Sequence, residues 1–535
     1  MNISHRLPLL TAFCAAIALP LMAADWTQWG GHNDRNQVCD EKGLPDSFVP
    51  GEKKTDGSGI DMATTKNVKW VTRLGSATYG NPTVAKGRVF VGTDDFGIAD
   101  DPRFQRSKGG MVRCYEEATG KLLWQLEVPK RTELPEGLLY GQQHLGTCSS
   151  PTVDVDRVYV VTSAAEVLCL DARGAANGNA GPFKDEGQYM AGTGKPPITL
   201  GSKDGDIIWR VDMMKELAVR PHDVASCSVL IIGDFLYTST SNGVDKPHAQ
   251  VVNPQAPALI VLDKRTGRLV ATEGNGLSER IHHAEWSPPS AGKVGDKMLV
   301  FHGGGDGVCY AFEALTKMPK EPVKLKEVWS YDCNPPHYKF RDGKPIPLYE
   351  GDKRKKTSPN TNDGTYVGPS EIIATPVFYK NRVYVGIGQD PAHGRGKGMF
   401  HCIDATKTGD ITKTGCIWSY DGLDRTIATA AVHDRLVYIT DISGRLHCLD
   451  ADTGKCYWVY ETNAETWGGV LVADGKLYLA TKNAFYIMAA GKEAKVLSKI
   501  NLGSPSYCTA VVANGVLYVA SQSYLWAVQQ PHDAK

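Results

Sequence analysis

The sequence predicts an all-β fold, an eight-bladed β-propeller of four-stranded antiparallel blades, closed by pairing an N-terminal strand into the last blade. Three observations carry the prediction. A hairpin pattern recurs along the chain, a shorter strand pair precedes its copies, and the two ends supply complementary parts of one repeat.

The hairpin is clearest at residues 444–458. Leu446, Cys448 and Asp450 alternate with His447 and Leu449, the period of a strand with two unlike faces. Asp452-Thr453-Gly454-Lys455 is turn chemistry, with Gly454 supplying a positive φ, and a second strand then ends on Trp458. Variants run from Val112 to Trp124, from Leu259 to Gly267 and from Met399 to Trp418.

The preceding pair begins with small and apolar residues, as in Asn81-Pro82-Thr83-Val84, Ser150-Pro151-Thr152-Val153 and Thr509-Ala510-Val511-Val512. A two-residue turn leads to a β-branched and aromatic strand, such as Arg88-Val89-Phe90-Val91 or Arg382-Val383-Tyr384-Val385. Eight first strands begin near Gly80, Ser149, Cys227, Trp286, Ala374, Ala428, Gly468 and Cys508. The last unit ends with Tyr524-Leu525-Trp526-Ala527-Val528 and lacks its own fourth strand, while Asn67-Val68-Lys69-Trp70-Val71-Thr72 reads as a fourth strand with no unit before it. Pairing the two closes the ring and removes its open sheet edges.

Outside the ring, residues 1–24 read as a cleaved signal peptide: His5 and Arg6, an apolar run over 7–21, then Ala23 and Ala24. The expected location is therefore the periplasm or cell envelope of a bacterium, or the secreted fraction. Residues 25–66 form an arm expected to anchor on the body through Trp26 and Trp29 and otherwise run over its surface. The propeller occupies 67–530 and a short tail 531–535. Lys plus Arg and Asp plus Glu each number 59, so net charge is zero and nothing favours nucleic acid or an anionic membrane as partner. No run in the mature chain is long and apolar enough to cross a bilayer.

Thirteen cysteines do not amount to a disulfide scaffold. Cys114, Cys169, Cys309, Cys402 and Cys448 share one register position, two residues before the closing Asp or its substitute, where other copies carry Val261, Ile487 and Ala527. Such a slot is a small buried site, in which Cys behaves as a hydrophobe. Any bridges are expected among Cys39, Cys333, Cys148, Cys227 and Cys508.

In a four-stranded antiparallel blade the loops between second and third strands share one face with the connections between blades. Insertions at 93–110, 242–257 and 389–398, and at 128–147, 211–226, 272–285 and 331–371, all fall there, so one face is elaborated and becomes the expected binding face. Two further insertions, 172–206 and 405–414, lie on the plain face.

The pattern Leu-x-Cys-Leu-Asp-Ala-x-Thr-Gly-Lys-x-x-Trp, with its Ser-Pro-Thr-Val and Arg-Val-Tyr-Val strands, resembles the pyrroloquinoline-quinone-like (PQQ-like) propellers of the quinoprotein alcohol dehydrogenase-like superfamily. The resemblance covers nearly all of residues 70–530. It implies that Trp70, Trp124, Trp209, Trp329, Trp418 and Trp458 dock between blades. It also implies two kinds of function: dehydrogenases holding the quinone and Ca2+ in the funnel with a disulfide of adjacent cysteines, and outer-membrane assembly lipoproteins that bind partner proteins on one face. This sequence contains no Cys-Cys pair, no Cys-x-x-Cys-His and no lipobox. The reading favoured is an exported module that binds a protein or small-molecule ligand through its decorated face. A PQQ-dependent alcohol or sugar dehydrogenase is the alternative, and PQQ with Ca2+ belongs only to that alternative.

Residues leading into the first strands are expected to face the central funnel: Tyr79, Cys148, Ser226, Glu285, Ile373, Ile427, Trp467 and Tyr507, with Trp286 beside them. Their aromatic content suits a planar or sugar ligand, or a simple plug. Arg425 suits an anionic group, and Gln389-Asp390-Pro391-Ala392-His393-Gly394 offers an Asp and a His on the decorated face. Asp390, Glu285 and Asp306 are the candidate bases, with turn formation the competing role for Asp390 and Asp306. Trp286, Trp467, Tyr79, Tyr507, Arg425, Gln389 and His393 are the candidate ligand contacts. His282-His283 and the pair Cys333 and His337 each lack the three or four converging donors of a metal site.

Overall fold

Trp70, Trp124, Trp209, Trp329, Trp418 and Trp458 each end a blade, and each latches that blade to the next. In the computed structural model, which describes residues 24–134, 138, 140–141, 143–345, 349–350, 353–354, 369–388, 390–391 and 396–530, eight small antiparallel sheets close into a ring. Gln389, His393, residues 531–535 and residues 1–23, where a signal peptide was expected, lie outside the described residues.

Blade one comprises Thr83–Ala85, Arg88–Asp94, Gly110–Glu116 and Leu122–Val128 in sequence order from the axis outward. Blades two to seven repeat this order. Blade eight joins Val511–Ala513, Val516–Ala520 and Tyr524–Val528 to Val68–Arg73, with Trp70 opposite Ala527 and Arg73 opposite Tyr524. The ring is closed by strands from the two ends of the propeller sequence, as expected.

Every blade carries a register shift at the same place, next to the residue that faces the fourth-strand tryptophan or its substitute. The bulge turns the indole off the sheet toward the neighbouring blade. There Nε1 donates to a carbonyl just beyond that blade's third strand: Trp70 to Glu117 at 2.9 Å, Trp124 to Ala172 at 3.0 Å, Trp209 to Lys264 at 3.0 Å. Trp329, Trp418 and Trp458 do the same to Ala405, Ala451 and Gly491. At the Trp70, Trp124, Trp209 and Trp418 latches the turn glycine of the receiving blade, Gly120, Gly174, Gly267 or Gly454, lies against the ring. Gly120 has φ +71°, and a Cβ there would sit 2.6 Å from the Trp70 indole.

Cys114, Cys169, Cys402 and Cys448 lie opposite a tryptophan and are buried. In blade four that slot belongs to Ala311, opposite Trp329. Cys309 sits two residues earlier, because this copy runs on to Phe312-Glu313 before its turn. All twelve cysteines among the described residues are free, so the expected bridges among Cys39, Cys148, Cys227, Cys333 and Cys508 do not form.

The plain-face insertions reach back to cover the outer edge of the preceding blade. Val323–Lys324 adds to Leu269–Thr272 of blade three, Gly409–Asp410 adds to Glu327–Asp332 of blade four, and Asp204 bridges to Gln125 of blade one. A covered edge offers no template to a second chain.

The arm takes an unexpected path. Rather than running over the outer surface after its tryptophans, it circles inside the ring of first strands and meets the blades in order. Trp26 exchanges two backbone hydrogen bonds with Val84 of blade one, and the Thr27 carbonyl accepts from Val153 of blade two. Asn33 donates its amide to Ile231 of blade three and its carbonyl accepts from Ala291 of blade four, while Asp34 accepts from Phe378 of blade five. The Asn36 amide pairs both ways with Val432 of blade six, and Val38–Cys39 adds a parallel strand to Val470–Ala473 of blade seven. The Cys39 thiol lies 3.9 Å from the Val512 carbonyl of blade eight.

Arg35, fully buried, holds this loop from within. Its guanidinium donates to the carbonyls of Trp29, Val229 and Pro289 and to Oε1 of Gln28. The arm's contacts fall on the first strands near their turns to the second strands, which places the arm at the plain end of the ring.

Candidate functional site

The decorated end is built where three loops of neighbouring blades are stitched by their backbones. The segment at Asn242–Val244 lies in the middle. Pro221 bridges to Asn242 on one side, Ala284 bridges to Gly243 on the other, and Val251 folds back onto Val244. Asn242 fixes the junction, its Oδ1 accepting from Arg220 N and its amide donating to Asn253 O. Gly243 permits the close approach: a Cβ there would meet His283 O at 2.7 Å and the His222 Cβ at 2.9 Å.

Three imidazoles converge from these loops. The rings of His222, His248 and His283 have centroids 4.5 to 4.8 Å apart, and one ligating atom from each falls within 4.8 Å of the others. Nδ1 of His222 is 2.8 Å from the Val244 carbonyl, so that nitrogen carries the proton and Nε2 keeps its lone pair. Burial pulls the His222 pKa down to about 4, which leaves the ring neutral at pH 7. Trp286 packs edge-on against His283 at 4.8 Å and donates Nε1 to Val224 O at 2.8 Å.

Carboxylates border the triad. Glu371 Oε1 lies 3.4 Å from His283 Nδ1 and accepts from Asp390 N at 3.2 Å. Asp223 Oδ2 lies 3.8 Å from His222 Nε2, and its Oδ1 accepts from Gln143. Burial pushes Glu371 up to about 8 and Asp223 up to about 7, each raised further by the charge of Asp390. Arg425, fully buried, opposes the shift at Glu371. Among the described residues, Nε2 of His222 and Oε2 of Glu371 are buried without a hydrogen-bond partner.

Of the eight positions leading into the first strands, Tyr79, Cys148, Ser226, Ile373, Ile427, Trp467 and Tyr507 are half-buried, as lining residues of a funnel should be. Tyr79 stacks on Trp467 and on Tyr507 with centroids 5.5 and 5.8 Å apart, and Trp467 meets Tyr507 at 4.4 Å, so the three rings form one wall on blades seven, eight and one.

Glu285 departs from this pattern. It is fully buried, with Oε2 3.1 Å from His302 Nε2 and Oε1 accepting from Gly305 N, so it braces its own blade rather than the funnel. Asp306 is likewise occupied, accepting from Tyr310 Oη at 2.6 Å and Arg280 Nε at 3.1 Å in the turn before Val308. Cys333 is buried and His337 exposed, so they do not form a site.

Residue-by-residue reading missed His222, His248, Asp223 and Glu371. The available signal was the Pro-His dipeptide at 221–222 and again at 247–248, each in an insertion of the decorated face.

A family model described as outer membrane protein assembly factor BamB matches residues 108–269 and 410–497. Among solved structures, BamB from Moraxella catarrhalis superposes with a TM-score of 0.50 at 14% identity, over 88% of this chain and 98% of that one. A europium-containing methanol dehydrogenase superposes at 0.52 and 11% identity, over 93% and 89%. No curated protein sequence matches the chain. At these identities the likeness to the solved structures is one of fold.

Proposed function

The chain is a PQQ-like eight-bladed β-propeller, and from that premise we propose that it acts as an exported binding module, taking its ligand into the funnel of the decorated face. One observation carries the reading. Three imidazoles and two carboxyls from separate loops converge in one place: His222, His248 and His283, with Glu371 Oε1 3.4 Å from His283 Nδ1 and Asp223 Oδ2 3.8 Å from His222 Nε2. Burial holds His222 below its ordinary pKa and Glu371 and Asp223 above theirs, and titratable groups perturbed and clustered in this way on a loop-decorated face favour a binding site.

The dehydrogenase alternative fits the basin poorly. Ca2+ takes six to eight oxygen donors, whereas imidazole nitrogens converge here, and the sequence has no adjacent cysteines to lie over a quinone. The test is to purify the protein natively, release any non-covalently held small molecule or peptide, and identify it by mass spectrometry. Asp390→Ala combined with His393→Ala should then abolish rebinding of that compound without lowering the melting temperature. Unchanged rebinding would remove the 389–394 loop from the proposal. Dye reduction with an alcohol or sugar after addition of PQQ and Ca2+ would replace the binding module by the enzyme.

A further inference from the structure

We propose that the floor of this basin is a site for one divalent transition-metal ion, held by Nε2 of His222 and one ring nitrogen each of His248 and His283. The inference rests on the basin being the binding site and names what sits at its base.

The first support is how the site is built. The three histidines belong to separate loops, yet each loop is tied to the same backbone segment at Asn242–Val244, so their separation is set by backbone pairing. Val244 N donates to His283 O at 2.9 Å and Gly243 N to Arg220 O at 3.0 Å. A side chain at position 243 would force His222 and His283 apart. Packing alone does not require an imidazole at position 222, because an apolar residue of similar size would fill the space without burying Nε2.

The second support is the orientation of the lone pairs. A ligating histidine characteristically donates its other N–H to a carbonyl or carboxylate, which fixes ring and tautomer. His222 does this through Nδ1 to the Val244 carbonyl, and His283 Nδ1 has Glu371 Oε1 at 3.4 Å in the corresponding place. The groups that would orient two of the three ligands are thus already present, and they come from different blades. Glu371 then acts as a positioning residue for His283.

Distances and donor type indicate the kind of ion. Tetrahedral ligation with metal–nitrogen bonds of about 2.1 Å places ligand atoms about 3.4 Å apart. The triad, with ligating atoms within 4.8 Å of one another, would have to draw in by about 1 Å to reach that geometry. Three imidazole nitrogens suit Zn2+, Co2+, Ni2+ or Cu2+, and suit Ca2+ and Mg2+ poorly. Three protein ligands leave a fourth position, which Asp223, with Oδ2 3.8 Å from His222 Nε2, or a bound ligand would fill.

The experiment uses untagged full-length protein, freed of metal by chelation and titrated with Co2+ and then Zn2+. One Co2+ per chain is expected, with visible d–d absorption that Zn2+ abolishes. His222→Ala and His283→Ala should each weaken Co2+ binding at least 100-fold. His248→Gln, at the least buried of the three positions, gives the same test with less risk to folding. His337→Ala, an exposed histidine elsewhere, should bind as wild type. A wild-type protein that takes up no stoichiometric Co2+ or Zn2+, or triad variants that bind it as tightly as wild type, would overturn the inference. The two readings separate cleanly. Metal-free protein that still rebinds its co-purified compound in full, and takes up no metal, retires the metal site and leaves the binding module standing. Stoichiometric Co2+ uptake lost in the triad variants supports the metal site even where no compound co-purifies.

Discussion

The Trp70 indole donates to the Glu117 carbonyl at 2.9 Å across the seam between blade eight and blade one. Trp70 belongs to the strand that pairs with Tyr524–Val528, so this one bond links the sheet built from both ends of the propeller sequence to the first blade wound from it.

Breaking that latch should show in stability. Trp70→Phe keeps most of the ring and loses the hydrogen bond, so it should cost about 1 kcal/mol. Trp70→Ala leaves a cavity and should cost about 3–5 kcal/mol. Urea unfolding followed by tryptophan fluorescence measures both. Equal losses for the two variants would contradict the separate role given to the bond.

Gly120 and Gly87 provide a matched pair. Both have positive φ, +71° and +75°, but a Cβ at 120 would lie 2.6 Å from the Trp70 ring whereas a Cβ at 87 meets nothing within 4 Å. Gly87→Ala should therefore carry only the backbone penalty, about 1 kcal/mol. Gly120→Ala should cost more, by the displacement of the indole. Denaturation midpoints rank the two, and the reverse order would refute the packing account.

Arg35→Met should loosen the arm without opening the ring. It leaves the carbonyls of Trp29 and Pro289 without the Arg35 donor, while Val229 keeps Thr152 Oγ1 and the blades keep their own ladders. Hydrogen exchange should quicken at the amides of Trp26, Val153 and Val472, which depend on arm contacts. Amides in third strands, such as Cys448, should be unchanged.

Asp306 should impose a pH dependence. Burial raises its carboxyl from 3.8 to about 6, so the folded state holds a proton that the unfolded chain has released. Its contribution to stability is complete below pH 3.8 and is lost as pH rises through about 6. Asp306→Asn removes this term. Wild type should therefore lose stability relative to the variant between pH 4 and pH 6.5, and a difference constant across that range would show that the carboxyl titrates normally.

The blades were legible because their information is local. Period-2 alternation, the Thr-Gly-Lys turn and a terminal tryptophan all fall within one hairpin, as at 444–458. Position 309 misled because its copy is two residues longer before the turn, which only strand pairing reveals. The path of the arm was not legible, since Asn33, Asp34 and Asn36 meet mainly backbone groups of distant strands, and a backbone partner leaves no mark in sequence. The histidine basin was hidden for a related reason. Its members occupy three loops brought together by Gly243, a residue whose importance is the side chain it lacks. Glu285 looked like a funnel residue by position, but the chemistry of His302 draws it inward.

The stopper of the bore is made of residues translated before any blade, yet its docking surface is contributed by all eight. The segment from Trp26 to Cys39 must therefore wait, unseated, until the circle has closed behind it. Its docking reports that the whole wheel is complete, and a ring with one blade missing or misplaced would leave the segment exposed to the first protease it meets.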